Sequence, residues 1–397
     1  MSALRFAVLA AILLAPAAAL ADGMMIQIVR TTQSTTFVKS PRQEAILATD
    51  GQTVQVVLRT HFRRGPEELA WIVPVPARPF AVTQADDAVF ADLDRVTAPR
   101  FRKVKYRSHH FGCGCGGMSA GNMAWDQSLV AVESVGVAGI FEYAVLSSPD
   151  ATALTNWLIA RGYRLDASAG QSLARYAREG WHFLAMRVRP ELLGSTQGVL
   201  APHPISYQYR SGRLVFPLEI SRHSADDRNE IVLYVLASQR FTCTNWPAAA
   251  LGEDLKLDST VDTADKYRRL FETATARLSG RLFVVEYAGE TNRFFPKPGA
   301  VDPAVVGDLR GWWITRLRAV VRPGEMDRDV ELAPAAESKP VRPRSWYDGE
   351  ASAGEAALPL ALVGMVFGGR SLVRRRWWGR IAGGVLIAAA CVGLAAM

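Results

Sequence analysis

The chain has 397 residues, 49% hydrophobic and 21% charged, with ten Trp and sixteen Phe. That allows two or three domains with cores of their own and excludes wholesale disorder. The formal net charge of +8 sits mostly at the ends, on Arg5 and on five Arg against one Glu beyond Ala351, so the body lacks the basic face of a nucleic-acid binder and no nucleic acid is expected as partner.

Residues 1–21, MSALRFAVLAAILLAPAAALA, combine one Arg, an apolar run and the small-residue ending Ala19-Leu20-Ala21. This is the pattern of a cleaved secretory signal peptide, with an uncleaved anchor as the alternative. The mature chain is expected to start at Asp22.

Residues 22–138 read as an N-terminal β-rich half. Gln43–Ala48, the turn Asp50-Gly51 and Val54–Phe62 form an expected β-hairpin. The block Glu68–Pro76 runs from a strand into a segment expected not to pair centrally, because Pro74 and Pro76 donate no hydrogen bond. Asp86–Arg95 is an expected helix with Val89, Phe90 and Leu93 on one face. Residues 101–125 interrupt the pattern as a glycine-rich excursion, HHFGCGCGGMSAGNM at its centre.

Residues 139–332 read as a C-terminal α+β half. Gly139–Leu146 is an expected strand, and Ser148-Pro149-Asp150 an expected helix start with Ser148 as N-cap. Leu154, Trp157 and Leu158 form that helix's buried stripe, and Gly162 its end. A second helix carries Leu173, Tyr176 and Ala177 and ends at Gly180. Trp181–Val188 follows as a strand. Ile205–Tyr209, the turn Ser211-Gly212, Leu214–Ile220 and Ile231–Ala237 read as a second antiparallel set. A helix over Thr263–Leu278 buries Tyr267, Leu270, Phe271, Ala274 and Leu278, and Leu282–Tyr287 and Trp313–Val321 close the domain. The expected class is α+β, mainly antiparallel sheets with a few short helices. A hairpin followed by an apolar strand occurs in both halves, a hint of duplication.

Residues 333–355, rich in Pro, Ala, Ser and mixed charge, read as a linker. Residues 356–397 hold two apolar stretches, Ala356–Gly369 and Ile381–Met397, around RSLVRRRWWGR (residues 370–380). They fit a transmembrane helical hairpin whose arginine loop stays cytoplasmic, which makes the lipid bilayer a partner. A single anchor is the alternative, since Pro359 and the shortness of the first stretch weaken it.

Several landmarks together resemble a bacterial family known only as a domain of unknown function, number twenty-three thirty. They are Asp22-Gly23-Met24, the Leu69–Pro76 block, Cys113-Gly114-Cys115-Gly116, the Phe141–Gly162 unit, Ser211–Ile220, Trp313–Ala319, and Pro323 with Glu325-Met326 and Asp329. The resemblance implies an exported bacterial protein, often membrane-tethered, with the body in the periplasm or outside the cell, and no established activity. Relatives often begin with Cys-Gly-Gly where this chain has Asp22-Gly23-Met24, so no role of that cysteine carries over.

The concentrated chemical signal is the excursion. His109, His110, Cys113, Cys115 and Met118, with Met123 beyond, gather imidazole, thiolate and thioether donors that suit Cu(I) or Zn(II). However, C-x-C lacks the usual zinc-site spacing. The competing reading is a single disulfide from Cys243 to Cys113 or Cys115, since exported thiols meet an oxidising compartment; Cys391 is expected in a membrane helix. A cysteine nucleophile served by His61, His182 or His203 lacks signature residues, and neither a G-x-S-x-G elbow nor a phosphate loop is present. Asp226-Asp227 and Asp86-Asp87 read as solvated turns. Trp71 beside its prolines, and Arg316 and Arg318 on one strand, read as recognition surfaces or as packed strands, and packing is favoured for Trp71. No cofactor is expected on balance. The functional expectation is a non-enzymatic interaction or cell-envelope module with an unknown envelope partner, and the alternative is redox, copper or zinc handling through residues 109–123.

Overall fold

Leu69–Val75 is apolar without alternation, as befits a strand covered on both faces, and Ala45–Ala48 and Ile231–Ala237 share that property. The computed structural model describes residues 23–27, 39–63, 69–102, 130–163, 165–189, 199–200, 202–251, 264–277, 281–291, 311–342 and 345–347. The first strands are β1 (Met24–Gln27), β2 (Ser40–Thr49), β3 (Thr53–Arg63), β4 (Leu69–Val75), β5 (Phe80–Gln84), β6 (Arg100–Arg102), β7 (Ala131–Ala138) and β8 (Phe141–Ser147). Then come β9 (His182–Val188), β10 (Val199–Leu200), β11 (Ile205–Arg210), β12 (Leu214–Phe216), β13 (Ala225–Ala237) and β14 (Phe241–Cys243). The last are β15 (Ala248–Ala250), β16 (Phe283–Glu290), β17 (Trp313–Val321), β18 (Val330–Pro334) and β19 (Ser345–Tyr347). The helices are α1 (Ala88–Thr97), α2 (Ala151–Ala160), α3 (Ala167–Arg178), α4 (Leu218–Ser221) and α5 (Ala264–Arg277).

The chain divides into two units, and the larger spans Met1–Arg100, Phe111–Leu257 and Arg268–Arg344. Its first sheet has the order β1-β4-β9-β8-β7 and its second β15-β16-β17-β13-β2-β3-β11-β5, with β10 beside β3. A small third sheet is β12-β18-β14. The smaller unit holds most of a two-stranded sheet, β6 with β19.

Alternation along these strands builds three cores. Trp71, Val73 and Val75 of β4, Leu184 and Met186 of β9, and Leu47, Leu58, Leu233 and Leu317 of the second sheet fill the space between the two large sheets. On the far side of the first sheet, Ala70, Ile72, Ala144 and Phe183 meet Leu154, Trp157 and Leu158 of α2 and Leu173 and Tyr176 of α3. Beyond the second sheet, Ile46, Val57, Val232 and Ile314 meet Val89, Phe90 and Leu93 of α1. The result is a helix–sheet–sheet–helix stack, and strands from either side of residue 138 share both large sheets.

The fold is mostly sheet with few helices, and the sheets are antiparallel or mixed rather than uniformly antiparallel. β13 runs parallel to β2, and β15 parallel to β16. The β2–β3 hairpin forms as expected, with Thr49 opposite Val54. Pro74, expected outside central pairing, sits opposite Phe183 inside β4. It is tolerated because β1 reaches only Ile72, which among the described residues leaves that end of β4 without a strand neighbour on one side. Ser211-Gly212 is not a hairpin turn: β11 pairs with β3 and β5, and β12 with β18. Part of the expected Leu214–Ile220 strand is α4, since Pro217 ends β12 and Asp329 receives the Glu219 N–H. Trp313–Val321 is interior, between β16 and β13.

The N-cap of α2 is Asp150, not Ser148: its carboxylate accepts the Thr152 N–H at 2.8 Å, and Ser148 instead closes a turn onto Asp150. Gly162 and Gly180, both at positive φ, end α2 and α3 with the paired carbonyl bonds of a Schellman stop. The expected linker starts late, because Ala333 and Pro334 belong to β18 and Val341 pairs with Ala288. Among the described residues no helix is long and apolar enough to cross a membrane. The signal-peptide, 101–125 and 356–397 expectations fall outside the described residues, apart from Phe101 and Arg102 in β6.

Candidate functional site

The second sheet's outer face carries a layer of charge that hydrophobic patterning hides. Glu44 of β2, Arg59 and His61 of β3, Glu230 and Tyr234 of β13, and Arg316 and Arg318 of β17 all follow the strand period that places Ile46, Val57, Val232 and Ile314 on that face. A register shift between Val285 and Tyr287 adds Glu286, as bulges re-aim side chains.

Glu286 is fully buried and accepts Arg316 Nε at 2.7 Å and Arg318 Nη1 at 3.4 Å. Arg316 Nη1 also donates to the Tyr234 hydroxyl at 2.9 Å and to Asp94 of α1, and Tyr234 donates to Asp94 at 2.8 Å. Glu44 accepts Arg59 Nε at 2.7 Å and Arg42 Nη2 at 2.8 Å. Arg59 reaches on to Asp87, just before α1, and lies over the Phe90 ring at 4.3 Å. Arg318 pairs with Glu230 at 3.0 Å and lies over Phe271 of α5 at 4.8 Å.

Burial works against the Arg316 charge, but Tyr234, Glu286 and Asp94 outweigh it and raise its pKa. Asp94 feels the same burial, and Arg316 nevertheless holds its carboxyl below the ordinary value. His61, half-buried near Glu44 and two arginines, is pushed down, chiefly by desolvation. The layer is internally paired, and it staples α1 and α5 to the sheet. Of the two readings of β17, a recognition surface or a packed strand, the burial fits the second: Arg316 is 4% and Arg318 8% exposed.

A second polar cluster gathers where α3, α4 and the loop before β18 meet. Asp329 accepts the Tyr176 hydroxyl at 2.6 Å, the Glu219 N–H at 2.9 Å and Arg175 Nη2 at 2.9 Å. Its own carbonyl accepts Asn245 Nδ2 and Trp246 Nε1. Burial raises the pKa of Asp329 and Glu219 despite these partners.

Next to it, His223 Nε2 meets the Ser172 hydroxyl at 2.8 Å, Nδ1 lies 3.3 Å from Ser168, and Ser168 donates to Asp166. A serine beside a histidine nitrogen is the contact of a nucleophile with its base. Here both are sealed, 6% and 2% exposed, and burial pushes His223 down to about 4.

The same α4 corner seats the start of β1. Gly23 N–H donates to Ser221 Oγ at 2.9 Å, Met25 N–H to Ser224 Oγ at 2.8 Å, and Ser224 Oγ to the Gly23 carbonyl at 3.0 Å. Gly23 has φ +50°, and a Cβ there would fall 2.3 Å from Trp71 Nε1, so only glycine fits. Sequence reasoning singled out Gly23 as a landmark without this reason.

Of the metal and thiol candidates, His109, His110, Cys113, Cys115 and Met118 lie outside the described residues. Cys243 lies on β14, buried, with a free thiol that desolvation pushes up. His61, His182 and His203 are dispersed: His182 meets Glu133 at 3.1 Å, and His203 accepts the Ile140 N–H at 2.8 Å. Trp71 is core, 1% exposed. Among the described residues no group of three or more His, Cys, Asp or Glu is placed to hold a metal.

Residues 16–332 match the family described as an uncharacterized protein conserved in bacteria (DUF2330). The chain is a member of that family. None of the curated proteins matches it. Among solved structures it is similar to baculovirus P35, at 12% identity and a TM-score of 0.30, over 52% of this chain and 66% of that one. A mutated baculovirus P35 after caspase cleavage gives 12% identity and a TM-score of 0.29, over 50% and 66%. The chain thus spans just under two thirds of those proteins.

Proposed function

We propose that this family member is an exported, membrane-tethered envelope protein whose body, residues 22–355, works by interaction rather than catalysis. The observation that carries this reading is the seat of β1. Gly23, one residue after the expected first mature residue, is buried with both backbone groups bonded to Ser221 and Ser224. A leader removed before Asp22 frees the chain at the point where it tucks in. The buried charge layer supports the second part, since its arginines and carboxylates are directed to one another.

In this reading residues 356–397 anchor the body in the bilayer, and the arginines of 370–380 stay in the cytoplasm. Reporter fusions test it. A phosphatase active only outside the cytoplasm is expected to be active when joined after residue 355 and inactive when joined within 370–380. Inactivity at 355 contradicts export.

A further inference from the structure

Among the described residues the edges of the large sheets carry devices that block further strand pairing. β1 is tied to Ser221 and Ser224. β5 is broken by a bulge, with Ala81 at φ +51°, and β15 is three residues long. Edge strands are ordinarily blunted in such ways, or by charge.

The eight-residue β7 has its own register shift between Val132 and Ser134, but beyond it residues 134–138 pair with β8 without a break. Its one charged residue, Glu133, is engaged by Arg78, which pairs with its carboxylate at 2.7 Å and donates to its carbonyl at 3.3 Å. Residues 134–138, Ser-Val-Gly-Val-Ala, carry no charge. Among the described residues four large apolar side chains are exposed, and two of them are Val135 and Val137. Val135 lies opposite Ala144 and Val137 opposite Glu142, so both stand on one face, the side of the helices. Gly136 is on the other, with the Tyr143 ring so close that a Cβ would fall 2.6 Å from its hydroxyl.

We infer that β7 is a self-association edge, pairing antiparallel with β7 of a second copy about a twofold axis at Gly136. The occupant follows from the strand's own symmetry. In that register Val135 faces Val137 of the partner subunit, and Val137 faces Val135 of the partner subunit, giving an unbroken valine row. Ser134 then opposes Ala138 of the partner subunit, and Glu133 opposes Gly139 of the partner subunit, so no like charges meet. Closed twofold pairing of identical surfaces is the commonest route to a dimer, and strand addition needs only backbone groups and a matching row of side chains.

The test uses the full chain in detergent. Sedimentation is expected to show a dimer for the native protein and a monomer for both Val135→Lys and Val137→Lys, with thermal unfolding of each variant close to native. Register is read by mixing differently tagged Val135→Cys and Val137→Cys chains. The mixed disulfide dimer is expected to exceed, several-fold, the self-dimer of either chain alone. A native monomer overturns the inference, as does a dimer that both lysine variants leave intact. A native monomer that instead captures a neutral extended peptide, and loses it in Val135→Lys, overturns it in favour of a foreign strand.

Discussion

Arg316 illustrates what holds this fold at the level of single residues. Its guanidinium is bonded to Glu286, Asp94 and Tyr234 at once, and a buried charge that loses its partner is far costlier than one never buried. Glu286→Gln is therefore expected to destabilise the protein by about 3 kcal/mol in urea unfolding; a change under 1 kcal/mol would show the layer to be dispensable. Gly23→Ala meets both a left-handed backbone and the Trp71 ring, so a loss of at least about 1 kcal/mol is expected from the backbone alone. His223 titrates in the opposite sense to a paired histidine. Its folded pKa, about 4, lies below the ordinary 6.5, so the unfolded chain binds the proton more readily. Its contribution is present above pH 6.5 and is lost as pH falls from 6.5 toward 4, by up to about 3 kcal/mol. Asp329 and Glu219 have raised pKa values and favour the folded state at low pH, losing that as pH rises through their folded values. Unfolding of native and His223→Gln protein at pH 7 and pH 5 separates these contributions: the variant is expected to lose less stability on acidification. An equal loss in both would assign the acid sensitivity elsewhere.

At the scale of elements, strands and helices with a single unambiguous period were legible. The β2–β3 hairpin, α1, α2, α3 and β9 fall where turn chemistry and apolar spacing put them. What sequence could not reach was partnership. β13 pairs in parallel with β2 across some 180 residues of chain, and no local signal encodes that. β7 was missed because its valines face solvent and its Gly136 reads as a breaker, although Tyr143 fills the space beside it. The charge layer was invisible for a related reason. Arg316 and Arg318 alternate with Leu317 and Ala319 as in any half-exposed strand, and only α1 and α5 on top convert that face to interior. Glycine at the helix ends was read correctly, and Gly180 offers a clean check. It sits at φ +76° with no atom near its would-be Cβ, so substitution there probes the backbone alone. Gly180→Ala is expected to cost about 1 kcal/mol and Gly180→Asn less, because asparagine tolerates the left-handed region. Equal melting temperatures for the two variants would contradict a conformational cause.

For the molecule as a whole, packing and topology meet at one residue, Gly23. The same corner that receives β1 also joins α4 to α3 through Asp329 and Tyr176, so β1 is fixed to the helix layer of the first sheet. In the proposed reading that corner lies outside the cytoplasm and the tail in the bilayer. The intact mass of the full-length protein extracted from membranes tests this account most directly. A chain beginning at Asp22, lighter than the translated sequence by residues 1–21 and otherwise whole, is the result the account predicts. A chain that keeps residues 1–21, or that is recovered only from the soluble fraction, would contradict it.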